Sequence, residues 1–254
     1  MRKSMSYQKY ETKYEFKPNK FIFVPTQESR DYGINIKKEL ERKWEKPTYY
    51  HHYLSKGHVK AIKKHLHQDW FIRVDLANFF YNVTQTKITR ALVGLLKDYE
   101  KARDFAKKST VTSKINNKKI FHIPYGFIQS PIIASICLHN SKLGQYLDSL
   151  QSNGYYVSVY VDDIIISGKN NQSYEGIIDN LKNFAQKSNF PINEDKLEFS
   201  VLEITAFNIE LSKTSSQISQ ERMNEFIKVL NDEKTSVLSK IAIKKYISDV
   251  KFPK

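Results

Sequence analysis

The chain has 254 residues, 40% of them hydrophobic, and a formal net charge of +14. That is enough apolar material for a substantial core, in one globular unit or in closely joined subdomains, and enough positive charge to make a polyanion the natural partner. A single cysteine excludes an internal disulfide, no apolar run approaches the ~20 residues of a membrane span, and the few glycines and prolines argue against a disordered chain. A cytoplasmic, membrane-free setting is the expectation, since Met1–Met5 also lacks the apolar core of a signal peptide.

In chain order, Phe21–Val24 predicts a short strand and Ile34–Trp44 a helix. Gly57 then predicts a turn into a basic helix over His58–His67, whose Lys56, His58, Lys60, Lys63, Lys64, His65 and His67 read as a phosphate-contacting or solvated face. Zinc is the alternative for these histidines, with His52 joining them, but no cysteine pairs or acidic ligands accompany them at zinc spacing. Trp70–Asp75 reads as an apolar strand ending in a carboxylate, with Phe71, Arg73 and Asp75 on its less apolar side. Thr84 predicts an N-cap for a helix over Gln85–Leu96. A basic helix follows, then a hairpin tip at Asn116-Asn117 and a strand at Ile120–Ile123.

A loop bearing Pro124, Tyr125 and Gly126 leads into a helix that takes Pro131 in its first turn, where the missing N–H costs nothing. This helix is expected to run from Ser130 to about Leu150, with Cys137 as a small core residue. After an Asn153-Gly154 turn, the β-branched run Val157–Gly168 contains Asp162 and Asp163 side by side. Two charges inside a buried strand carry a heavy desolvation cost, so the pair is expected at a hairpin tip where cations can sit. A helix near Tyr174–Ser188 and a hairpin closing near Lys213 come next. Then Met223, Phe226, Ile227 and Leu230 recur at helical spacing behind a Ser219 cap, and Val237, Leu238 and Ile241 begin a second apolar pattern ending near Tyr246 and Ile247. Residues 1–70 and 84–120 are strongly basic, whereas 121–215 are acid-rich. Carboxylates suited to cations are thus separated along the chain from basic residues suited to phosphates.

The three segments together resemble the reverse transcriptases. Asp75 with Phe79 and Phe80 matches the first catalytic-aspartate motif, Pro124, Gly126, Ser130 and Pro131 the loop-helix motif, and Tyr160-Val161-Asp162-Asp163 the YxDD box. Pro191–Lys196 is similar to the motif whose lysine lies near the outgoing pyrophosphate, and Ile204–Ile209 to the primer-grip hairpin. Ile204-Thr205-Ala206 is close to the Val-Thr-Gly of bacterial retron enzymes, and Ala61–His65 loosely resembles their Asn-Ala-x-x-His signature. The wider group of defence-associated and abortive-infection reverse transcriptases fits as well. The resemblance covers roughly residues 20–215.

It implies an α+β right-hand polymerase. Residues 1–69 and 84–120 would be fingers, 70–83 and 121–215 an RRM-like antiparallel-sheet palm, and 216–254 a short helical thumb. It also implies two Mg²⁺ ions (Mn²⁺ as substitute) held by Asp75, Asp162, the Leu76 carbonyl and, more weakly, Asp163, with Lys196 as proton donor to pyrophosphate. Phe79, Phe80, Tyr125 and Gly126 would contact the nucleotide, with one of the two phenylalanines at the sugar C2′ and the other in the core. Tyr160, Phe207 and Asn208 would contact the primer. Partners would be dNTPs, a structured non-coding RNA and nascent DNA, with a separate effector protein or homo-oligomer in a phage-defence role. Tyr125 departs from the family, which carries glutamine there. The arginine expected beside Phe21–Thr26 is also absent, leaving Lys17, Lys20 or Arg30 to meet the triphosphate. Two other readings stay open: untemplated or protein-primed DNA synthesis, and a non-catalytic RNA-binding scaffold.

Overall fold

The computed structural model describes residues 8–115 and 118–253, so the expected Asn116-Asn117 tip lies outside the described residues. Two compact units form. One comprises Met1–Lys46, Asn78–Gln145 and Ala185–Pro191, the other Pro47–Ala77, Tyr146–Phe184 and Ile192–Lys254. Residues 47–69 therefore group with the aspartate-bearing strands, and 121–145 with the N-terminal segment.

In the first unit, strands Tyr10–Lys17 and Lys20–Pro25 pair antiparallel. The former was not expected, although Tyr10, Thr12, Tyr14 and Phe16 alternate with charged residues at strand period. Thr26 ends the pair and caps the next helix by accepting from the Ser29 N–H, so that the helix spans Gln27–Lys43 and starts well before the apolar run at Ile34. Thr84 caps Gln85–Leu96 as predicted, accepting from the Lys87 N–H. Helix Tyr99–Lys108 and the hairpin Val111–Ile115/Lys118–His122 follow.

The helix expected to be continuous from 130 to 150 is broken into Ser130–His139 and Lys142–Ser152. Asn140 Nδ2 donates to the Ala91 carbonyl, while Ser141 Oγ donates to the Leu138 carbonyl and accepts from the Gly144 N–H. These side chains take over backbone partners at the junction, ending one helix and capping the other. A Cβ on Gly144 would lie 2.2 Å from the Leu138 oxygen, so the tight restart needs glycine.

The second unit carries a four-stranded antiparallel sheet in the order Tyr156–Tyr160, Asp163–Gly168, Trp70–Asp75, Glu198–Ser200. Val157, Val159, Ile164, Ile165, Ile166, Phe71, Ile72 and Val74 are all buried, and each such side chain contributes about 1.5–3 kcal/mol. Gly168 pairs with Trp70, and a Cβ there would sit 2.4 Å from the indole. A three-stranded sheet, Glu203–Ala206, Ile209–Ser212 and Ser216–Ile218, shares a core with Val59, Ile62, Phe71 and Phe226.

Helices Gln220–Asn231 and Val237–Val250 complete this unit. The second turns its apolar start outward: Val237, Leu238 and Ile241 are 73%, 80% and 56% exposed, and Ile243, Tyr246, Ile247 and Val250 make the packed face instead. The basic helix is shorter than expected, Gly57–Lys63. His65 is not part of a solvated face. It is fully buried with Nδ1 2.7 Å from Ser167 Oγ, and burial holds its imidazole well below the ordinary range. His51, also buried, is pushed down to about 4.

Candidate active site

Two neighbouring strands bring the three aspartates to one end of the four-stranded sheet. Asp75 closes its strand directly opposite Asp163, and the Leu76 N–H donates to the Asp162 carbonyl at 2.9 Å. The turn Val161-Asp162 between paired Tyr160 and Asp163 holds Val161 at φ 60°. A β-branched residue there costs on the order of 1–3 kcal/mol and persists only where its surroundings over-determine it. The Leu76–Asp162 bond and a bond from the Val161 N–H to His52 Nδ1 (3.4 Å) supply that restraint.

Asp75 is 8% exposed and accepts from Lys196 Nζ at 3.2 Å and Asn193 Nδ2 at 3.3 Å; its carbonyl accepts from the Asn193 N–H. Lys196, expected at pyrophosphate, thus stands on the first aspartate. Asp163 accepts from Arg73 Nη2 at 3.4 Å, and Arg73 Nη1 donates to the Thr205 carbonyl at 2.6 Å, tying the aspartate hairpin to the neighbouring sheet. Burial, then the charge of Asp162, pushes the Asp163 carboxyl up to about 6 against the opposing pull of Arg73. Arg73, Asn193, Thr205 and His52 were not singled out from the sequence as site residues. An arginine two positions before the aspartate of an apolar strand was the available signal for the first.

Phe207 and Asn208 both lie at positive φ (56° and 59°) between paired Ala206 and Ile209, the geometry of a type I′ hairpin turn. The Phe207 ring meets Tyr160 edge-on at 5.1 Å, with His52 and His58 also beside Tyr160. The Asn208 carbonyl accepts from the Ser219 N–H.

In the first unit, Phe79 is buried against Phe190, whereas Phe80 stacks on Tyr125 at 4.6 Å and 27°. Tyr125 also meets Phe16 edge-on, and its carbonyl accepts from the Phe23 N–H. Gly126 has φ +101°, and a Cβ there would lie 2.2 Å from the Phe23 oxygen. Its close approach is to its own chain at Phe23.

Residues 16–242 match the family described as Reverse transcriptase (RNA-dependent DNA polymerase). The chain belongs to that family. Among solved structures it is similar to telomerase from Candida albicans in complex with a TWJ fragment of telomeric RNA (TM-score 0.55, 11% identity, covering 75% of this chain and 38% of that one). It is also similar to apo telomerase from Candida tropicalis truncated of its C-terminal domain (TM-score 0.51, 14% identity, 76% and 44%). An RNA polymerase complex seen inside a double-stranded RNA virus gives TM-score 0.54 at 10% identity, covering 80% of this chain and 21% of that one. These likenesses are of fold: mixed helix and antiparallel sheet, as in the polymerase domains of telomerase. The chain spans less than half the length of each of these structures.

Reverse transcriptase domains generally use divalent metal ions. The donors here are chemically of the right kind: three carboxylates at one sheet end, hard oxygen ligands such as Mg²⁺ takes, with one of them pushed up by burial and then by the charge of its neighbours. Lys196 and Arg73 stand against two of them, and among the described residues no group of three or more His, Cys, Asp or Glu side chains is placed to hold a metal ion. No helix among the described residues is long and apolar enough to cross a membrane.

Proposed function

We propose that this reverse transcriptase is an RNA-directed DNA polymerase that copies a structured non-coding RNA into DNA from dNTPs, within the bacterial retron-like and defence-associated group and in antiphage defence. The observation that carries the activity is the meeting of Asp75, Asp162 and Asp163 at one sheet end. Ile204-Thr205-Ala206 and Ala61–His65 support the group. Asp75, Asp162 and the Leu76 carbonyl would hold Mg²⁺ or Mn²⁺, with Asp163 the lesser ligand. Bound there, the ions would activate the primer 3′-hydroxyl and hold the triphosphate.

The remaining work falls to the chain's own residues. Lys196 releases Asp75 and offers its ammonium to the departing pyrophosphate. Arg73 keeps Asp163 ionised and oriented. Phe80, five residues after Asp75, rejects a 2′-hydroxyl, with the Tyr125 stack fixing its plane. Tyr160 and the Phe207-Asn208 turn steady the primer end. The division into fingers, palm and thumb is kept, with residues 47–69 assigned to the palm's unit and 121–145 to the fingers' unit, and an effector protein or a second copy acts as partner.

A second reading, untemplated or protein-primed DNA synthesis, is favoured by Tyr125, which occupies the position where the family's glutamine meets nucleotide or template. The protein would be purified with the RNA it carries, that RNA sequenced, and labelled dNTPs added with Mg²⁺ for wild type and Asp162→Ala. DNA synthesis by the wild type alone, abolished by RNase pretreatment, is expected. Equal product from the variant would overturn the site, and a single-nucleotide product indifferent to RNase would select the second reading.

A further inference from the structure

The first unit contains an open pocket of about 910 Å³ that none of the aspartates lines. Its walls come from helices Gln27–Lys43, Gln85–Leu96 and Ser130–His139 and from residues 187–189. Five cationic side chains, Lys43, Lys87, Arg90, Lys142 and Lys187, face it against one carboxylate, Glu45.

Lys87 is built into the wall. Its ammonium donates to the Ser188 and Asn189 carbonyls at 3.0 and 3.1 Å and lies 3.7 Å from the centre of the Phe190 ring. The other four cations are exposed. Helices Gln27–Lys43, Ser130–His139 and Ile177–Lys187 end at the pocket, and the partial negative charge of each C-terminus is only about half a unit, confined to the last turn. That offsets part of the positive charge and leaves the pocket cationic. Its wall also carries Trp44, whose Nε1 donates to His139 Nδ1 at 3.2 Å, and the open space over Gly94, where a Cβ would meet nothing within 4 Å.

A small anion bound alone would call for an enclosed site that buries most of its surface. Here the charge sits instead on an exposed rim around a cavity large enough for several phosphates. We infer that this pocket is an accessory site for the phosphate groups of a single-stranded nucleic-acid segment, separate from the aspartates and independent of whether they catalyse synthesis.

The test compares wild type with the double variant Arg90→Glu/Lys187→Glu, both side chains being exposed, on a short unstructured single-stranded RNA. Each phosphate neutralised on a single strand contributes about 0.7 to the slope of log affinity against log salt, so the variant should bind about tenfold or more weakly with a slope smaller by about 1.4. Lysine acetylation read by mass spectrometry localises the effect: Lys43 and Lys142 should be protected by RNA in wild type and not in the variant. An unchanged slope with no protection overturns the inference. Equal protection by a nucleoside triphosphate alone overturns the strand in favour of a free nucleotide. Extension of a separate short primer–template should be unimpaired in the variant. Absence of any extension in wild type would count against the polymerase and leave the binding result standing.

Discussion

Arg73→Met removes a side chain that joins Asp163 to the adjacent sheet. At 3.4 Å and an effective dielectric of about 20, the gross attraction between guanidinium and carboxylate is about 5 kcal/mol. Both side chains are 20% exposed, so desolvation offsets most of that attraction without abolishing it, and the net coupling is about 1–3 kcal/mol. Urea unfolding of wild type, Arg73→Met, Asp163→Asn and the double variant, in chelator at about pH 7.5, measures it as a cycle. Effects that add within about 0.5 kcal/mol would refute the pairing. Arg73→Lys should fall between, since an ammonium lacks the fork that reaches the Thr205 carbonyl and Asp163 together.

The same pair has a pH signature. The Asp163 carboxyl is raised from 3.8 to about 6, so the folded state binds its proton more tightly than the unfolded chain does. Stability from this group is fully present below 3.8 and is lost as pH rises through 6, by up to about 3 kcal/mol before allowance for its partial exposure. Asp163→Asn should flatten that part of the stability–pH curve. The Arg73 coupling runs the other way, because it needs the carboxylate: present above 6, gone below it. A cycle energy near zero at both about pH 4.5 and 7.5 would show that Arg73 acts only through Thr205.

Phe80→Val should lower the preference for dNTPs over rNTPs by about tenfold or more, measured as the ratio of kcat/KM values; an unchanged ratio would remove Phe80 from sugar selection. Lys196→Met should slow DNA synthesis by about a hundredfold while changing unfolding free energy by less than about 1 kcal/mol, because the side chain is half exposed. The Cys137 thiol, pushed up to about 12 by burial, should resist a disulfide reagent at about pH 8 until urea opens the fold, and immediate labelling of native protein would contradict its placement.

What could be read from the sequence was whatever carries its reason locally. Asp162-Asp163 in a β-branched run announces a charge that must escape burial, and the structure places it at a hairpin tip. Thr84 before an apolar repeat caps the predicted helix to the residue. Features whose reason lies elsewhere in the chain stayed hidden. The helix break at Asn140-Ser141 depends on the Ala91 carbonyl and on Gly144 clearing Leu138, neither visible in a helical apolar pattern. Phe207 occupies a turn position where glycine or asparagine is the usual signal. Val237, Leu238 and Ile241 have helical spacing but the wrong direction, because Tyr246, Ile247 and Val250 take the packed face. Arg73 gained a role only when the pairing register set Asp75 opposite Asp163 and brought Thr205 within reach. Tyr125 lies between these cases. Its departure from the family's glutamine is legible in one position, but its consequence depends on the ring it touches: stacked on Phe80, it forms one packing unit with that ring, so the effects of substitutions at 80 and 125 on the dNTP/rNTP ratio should be coupled rather than additive.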